Sequence, residues 1–80
     1  SSDQRARDAD ARAILEAELK KAQARQQELT AEYNNGEPER RGDERNYQKY
    51  LDRVAEMKAA IARQEADIAA IKRELAKLDS

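Results

Sequence analysis

The sequence predicts an all-α protein, an antiparallel two-helix coiled-coil hairpin over residues 1–80 that assembles into a dimeric helical bundle. Ala, Glu, Lys, Leu and Arg supply 48 of the 80 residues, above the roughly one half that is typical of coiled coils and long helices. The only glycines and the only proline, Gly36, Pro38 and Gly42, lie together near the middle of the chain. On either side of them, apolar residues recur at alternating spacings of three and four, which is the period of a helix seam.

Composition and charge exclude several classes of function. The net charge is −1 although 41% of the residues are charged, so the chain lacks the basic surplus of a nucleic-acid-binding surface. Cysteine and histidine are absent, which removes thiolate metal sites and the commonest general base. No run of residues is apolar enough to insert into a membrane. The sequence therefore predicts no enzyme, no catalytic residue, no cofactor and no metal site.

The first helix is predicted over residues 5–34. Its seam is short and contains one polar member; it consists of Leu15, Leu19, Ala22, Gln26, Leu29 and Tyr33. Asn34-Asn35-Gly36 predicts the helix stop, because Asn and Gly tolerate the left-handed conformation of a helix C-terminus.

The turn is predicted over residues 35–42, and the start of the second helix stays open between two positions. Pro38 is suited to the first position of a helix, and Asp43, which follows Gly42, is suited to an N-cap. The second helix is predicted over about residues 43–78.

The second helix carries the longer seam. Ten residues follow one another at spacings of three and four, namely Tyr47, Tyr50, Val54, Met57, Ile61, Gln64, Ile68, Ile71, Leu75 and Leu78. The two seam glutamines, Gln26 and Gln64, are interpreted as tolerated, partly exposed amides; selection of the pairing register is the alternative interpretation.

A short turn makes the helices antiparallel, so facing residues have nearly constant sums of residue numbers. Six seam pairs, from Tyr33 with Tyr47 to Leu15 with Gln64, add to 79 or 80. These pairs predict a hairpin seam formed by Leu15, Leu19, Ala22, Leu29, Tyr33, Tyr47, Tyr50, Val54 and Met57.

Continuing this register leaves the end of the second seam without apolar partners. Ile68 meets Arg12 or Ala11, and Ile71 meets Asp8. A contiguous apolar patch of this kind is typical of an interface, so we expect self-association through residues 61–78. The residues concerned are Ile61, Ile68, Ile71, Leu75 and Leu78. The alternative is that the stems of Arg5, Arg7 and Arg12, with Ala6, Ala9 and Ala13, cover the patch.

The turn is dense in charges of both signs, and Tyr33, Tyr47 and Tyr50 cluster beside it. The tyrosines are interpreted as an aromatic plug that closes the hairpin; a partner-binding patch completed by Leu51 is the alternative. In outline the hairpin is also similar to transcript-cleavage factors, whose tip carboxylates help hold a catalytic magnesium ion. Asp43 and Glu44 are the residues that match this role, but the interleaved arginines argue against it.

Residues 42–78, which begin Gly-Asp-Glu-Arg-Asn-Tyr-Gln-Lys-Tyr-Leu-Asp-Arg-Val, resemble the C-terminal coiled-coil part of small exported proteobacterial proteins of unknown function. In that group a signal peptide and a short β-rich domain usually precede the helical part. The resemblance implies a periplasmic or cell-envelope setting and brings no catalytic residue.

The predicted function is a structural or protein–protein interaction coiled coil that self-associates through the C-terminal seam. The expected partner is a second copy, as a homodimer or other homo-oligomer, with an unidentified protein partner as a further possibility. The alternatives are a tip-acting hairpin whose charged turn engages another protein, and a designed helical hairpin.

Overall fold

The computed structural model describes residues 1–79 and folds them into two long helices joined by an ordered loop. Helix α1 spans Ser2–Tyr33, a single 3₁₀ turn spans Asn34–Gly36, and helix α2 spans Tyr47–Asp79. These 79 residues contain no β-strand. The prediction of an all-α helical hairpin is confirmed.

Local capping explains where α1 begins and ends. The Ser1 side chain accepts a hydrogen bond from the Gln4 backbone N–H at 3.2 Å, which satisfies one of the free amides of the first turn. At the other end Asn34, Asn35 and Gly36 all have positive φ, at 47°, 55° and 89°. A right-handed helix cannot continue through such residues, so the predicted stop is confirmed.

Helix α2 begins at Tyr47, so both predicted starting points, Pro38 and Asp43, are wrong. The side chain of Asn46 accepts a hydrogen bond from the Gln48 backbone N–H at 2.8 Å, as an N-cap residue does. Residues 37–46 form a loop instead of helix because side chains of α2 bind their backbone, as described below. The connection between the helices is therefore 13 residues long rather than the predicted eight.

Two contacts between the helices show that they are antiparallel and staggered. The Gln64 side chain donates a hydrogen bond to the Ala22 carbonyl at 3.2 Å, and Arg12 forms an ion pair with Asp79. The numbers of Gln64 and Ala22 add to 86, where the predicted register requires 79 or 80. The molecule is 62 Å long, whereas a level pair of helices of this length spans about 50 Å.

These observations fit a pairing in which facing residue numbers add to 86 or 87, so that α2 is shifted along α1 by one heptad from the predicted pairing. A shift of seven residues keeps every seam residue in the seam. It places Leu19 opposite Ile68 and Leu15 opposite Ile71. The side chain of Ile68 is only 7% exposed, and Ile71, Leu75 and Leu78 are partly buried. The expectation that this end of the seam lacks apolar partners within one chain is therefore wrong for Ile68 and Ile71, because the longer loop brings Leu19 and Leu15 opposite them. In the same register Leu75 comes opposite Ala11 or Arg12 and Leu78 opposite Asp8 or Ala9, so these two still face small or charged residues.

The core is a thin line of side chains along the seam. Among the described apolar residues of the two helices, only Leu29 and Ile68 are buried. Eleven further apolar residues of the predicted seams are partly buried, namely Leu15, Leu19, Ala22, Tyr33, Tyr50, Val54, Met57, Ile61, Ile71, Leu75 and Leu78. Tyr47 is the exception, since it is 57% exposed. The stagger carries the start of α2 past the end of α1, so Tyr33 does not cover it.

Candidate functional site

The loop of residues 37–46 folds back onto the first turns of α2 and closes the hairpin. The Tyr50 hydroxyl donates a hydrogen bond to the Pro38 carbonyl at 2.7 Å. The Arg53 guanidinium donates to the Glu39 carbonyl at 2.6 Å. Because Tyr50 and Arg53 lie one turn apart on α2, they hold two successive loop carbonyls along the helix.

Glu44 and Arg53 form the charged centre of this arrangement. The carboxylate of Glu44 is 7% exposed and accepts two hydrogen bonds from Arg53, at 2.6 and 3.1 Å. A third comes from the Arg41 backbone N–H at 2.8 Å. A carboxylate and a guanidinium joined at two points hold each other in one orientation. We call Glu44 and Arg53, with the backbones of Glu39 and Arg41, the tip latch.

The tip latch changes the acidity of both of its side chains. Hydrogen bonds from the Arg53 side chain and then from the Arg41 backbone lower the pKa of Glu44 to about 2. The same carboxylate raises the pKa of Arg53. Each shift favours the charged form of the group, so the ion pair persists throughout the neutral range.

The geometry argues against a metal-binding tip. Both oxygens of the Glu44 carboxylate are occupied by Arg53, and Asp43 is exposed. Nowhere in residues 1–79 do three or more acidic side chains come together in a group that could hold a metal ion. The match of Asp43 and Glu44 to a magnesium-holding tip is therefore not supported: Glu44 fastens the loop.

An aromatic face lies beside the latch. The rings of Tyr47 and Tyr50 stack with their centroids 5.8 Å apart. The guanidinium of Arg40 lies 5.3 Å from the Tyr47 ring centroid and 5.7 Å from that of Tyr50, within the range of a cation–π contact. Tyr47 is 57% and Leu51 is 40% exposed. This surface consists of an accessible aromatic ring, an aliphatic side chain and a guanidinium.

A shallow groove separates the end of α1 from the loop. Its volume is about 650 Å³, and Pro38, Arg41, Arg53 and Met57 are among the residues that line it. In the described part of the chain, no buried side-chain nitrogen or oxygen lacks a hydrogen-bond partner. The groove therefore holds no buried polar side-chain group that a ligand would be needed to satisfy.

The residues predicted to self-associate lie along the other half of the molecule. Ile61, Ile68, Ile71, Leu75 and Leu78 occupy one face of α2, and that face is turned towards α1. The ion pair of Arg12 with Asp79 closes this end. It raises the pKa of Arg12, chiefly through the hydrogen bond with Asp79. The five residues thus belong to the intramolecular seam, and each except Ile68 keeps one edge in solvent.

The residues that fasten the tip were not found by sequence reasoning. The sequence singles out Glu44 only as a possible metal ligand, and it does not single out Arg53 at all. Neither belongs to a periodic pattern, and 41% of the chain is charged. A spacing of nine residues does not by itself predict a contact, because only the folded loop brings the two side chains together.

Comparisons with protein-family models, with curated proteins and with solved structures gave no match to this chain. The resemblance to small exported proteobacterial proteins stays a prediction. Neither helix is long and apolar enough to cross a membrane.

Proposed function

We propose that this hairpin is a structural coiled coil that associates with a second copy of itself and carries out no chemistry of its own. The observation that supports this is the open seam. Apart from Leu29 and Ile68, the apolar residues between the helices are at most partly buried. Two helices cover a seam from only two sides, and further helices packed across it bury the remaining edges.

The surface area of the chain supports the same proposal. Its accessible surface is 6239 Å², whereas a compact monomer of 9.1 kDa is expected to expose about 4,900 Å². The difference, about 1,300 Å², exceeds the roughly 800 Å² that each partner contributes to an ordinary stable interface. The excess surface of one hairpin is therefore large enough to form a stable interface with a second hairpin packed along it.

Charge and apolar exposure favour a second copy as the occupant. A net charge of −1 gives little repulsion between copies. Ile14 is the most exposed large apolar residue of the described chain, at 59%. It adjoins the seam residue Leu15 and lies one turn from the partly buried Ala11. A symmetric pair of hairpins places this patch against itself or against the neighbouring seam edge.

Sedimentation equilibrium over about 5–500 µM tests the proposal with the Ile14→Lys variant. We expect a dimer or larger assembly for the unmodified protein. In the variant we expect dissociation constants raised at least about tenfold, because a charge then replaces an apolar anchor of the interface. The hairpin itself should keep its helicity, since Ile14 lies largely in solvent.

The matched control is Leu51→Lys, which makes the same chemical change at an exposed aliphatic residue of the tip. It should leave assembly unchanged. A helical protein that stays monomeric up to 500 µM would contradict the proposal. So would an Ile14→Lys variant that assembles as well as the Leu51→Lys control.

A tip-acting hairpin is the second candidate function, and the exposed aromatic face favours it. Tyr and Arg are enriched among the residues that dominate binding at protein interfaces. The latch fixes Arg40 of the loop beside Tyr47 of α2, and Leu51 adds an exposed aliphatic side chain. The same experiment separates the two candidates. Under this second function, Leu51→Lys or Tyr47→Ala impairs engagement of a partner and leaves the oligomeric state unchanged.

A further inference from the structure

The seam alone permits two hairpin registers that differ by one heptad. In the short register, facing numbers add to 79 or 80; in the long register, which the structure adopts, they add to 86 or 87. Each register pairs four apolar residues of α1 with four of α2. The short register pairs Tyr33–Tyr47, Leu29–Tyr50, Ala22–Met57 and Leu19–Ile61; the long register pairs Tyr33–Val54, Leu29–Met57, Leu19–Ile68 and Leu15–Ile71.

The tip latch is compatible with only one of these registers. In the long register, the latch residue Arg53 binds the Glu39 carbonyl, and Tyr50 beside it binds the Pro38 carbonyl. The loop therefore lies along the first two turns of α2. The short register brings the end of α1 to that same part of α2, with Leu29 against Tyr50. The loop and α1 cannot both occupy this place.

We propose that the tip latch, rather than the seam, selects the register of the hairpin. Without the Glu44–Arg53 pair, α2 slides along α1 by one heptad, about 10 Å, into the short register. Slides of one element past another by one helical turn, about 5.4 Å, are an established form of two-state change, and the slide proposed here covers two turns. The latch therefore keeps Ile68 and Ile71 packed against α1. This inference does not depend on the self-association proposed above.

Cysteine cross-linking tests the proposal, because the chain contains no cysteine of its own. One reporter carries Ala22→Cys with Gln64→Cys, a pair that faces in the long register. The other carries Leu15→Cys with Gln64→Cys, a pair that faces only in the short register. Both reporters lose the Gln64 hydrogen bond equally. A disulfide needs Cα atoms within about 7 Å, and the two α1 positions lie about 10 Å apart.

With the latch intact, we expect the 22–64 disulfide to form at least about tenfold faster than the 15–64 disulfide, measured on monomeric products at low concentration. Adding Glu44→Gln removes the charge that Arg53 binds. It should raise the 15–64 rate relative to the 22–64 rate at least about tenfold. The matched control is Asp43→Asn, which removes one carboxylate at the neighbouring exposed position and should leave the ratio unchanged.

Two results would overturn the proposal. One is an unchanged ratio of the two rates in the Glu44→Gln reporters, since the seam would then hold the long register without the latch. The other is loss of helical circular dichroism in those reporters, which would mean that the latch supports folding instead of selecting between two folded registers.

Discussion

Replacement of Ile68 by alanine should destabilise the hairpin by about 2–4 kcal/mol, the usual cost of truncating a buried isoleucine. Ile68 is the most buried apolar side chain of the described helices, at 7% exposure. In a structure with only two buried apolar residues in its helices, this loss is a large part of the total stability. Urea unfolding followed by circular dichroism measures it.

Ile14→Ala is the matched control, because it removes the same atoms from a side chain that is 59% exposed. At low protein concentration, where the hairpin is monomeric, its effect should stay within about 0.5 kcal/mol. Repeating both titrations at two protein concentrations separates folding from assembly, since only assembly depends on concentration. Equal effects of the two substitutions, or a negligible effect of Ile68→Ala at low concentration, would contradict the long register.

The sequence alone predicts the two helices and the point at which the first one stops. An uninterrupted spacing of three and four from Tyr47 to Leu78 defines a helix whatever it packs against. Asn34, Asn35 and Gly36 end α1 through their own backbone preferences. These are local properties, and they need no knowledge of the rest of the chain. Antiparallel packing follows from them, because the connection is too short for parallel helices.

The register could not be obtained in the same way. A heptad pattern repeats itself after seven residues, so agreement among six pairs in the short register was equally available in the long one. The deciding residues are Glu44 and Arg53, which form one contact across a loop and belong to no repeat. The length of that loop decides the stagger, and with it the exposure of Tyr47 and the burial of Ile68.

The sequence predicts which residues lie at the candidate site but not which of them contact one another. The sequence places Tyr50 and Leu51 beside the turn and shows that the turn carries charges of both signs. The sequence does not tell which acid meets which base. The loop backbone decides this, because Glu44 accepts from the Arg41 amide while Asp43, one residue earlier, is turned to solvent.

Acidification from pH 5 to pH 2 should remove a component of the stability that belongs to Glu44. Its pKa is about 2 in the folded hairpin, below its usual 4.5, so the folded state favours the ionised carboxylate. The stabilising contribution is complete above about pH 4.5 and disappears as the pH falls through about 2. Thermal unfolding monitored by circular dichroism at a series of pH values measures this dependence.

The Glu44→Gln variant should unfold at a lower temperature than the unmodified protein at pH 7, and the gap between them should narrow steadily towards pH 2. The chain has 17 acidic residues, so its whole acid profile contains many contributions, and only the difference between the two proteins isolates this one. Asp43→Asn supplies the control, with a difference that stays small at every pH. A constant gap for Glu44→Gln would mean that the shape of the side chain, and not its charge, holds Arg53 against the loop. We expect the gap to narrow, because Arg53 donates to both oxygens of the ionised carboxylate. The amide of the Glu44→Gln variant carries no charge and offers Arg53 only one acceptor oxygen.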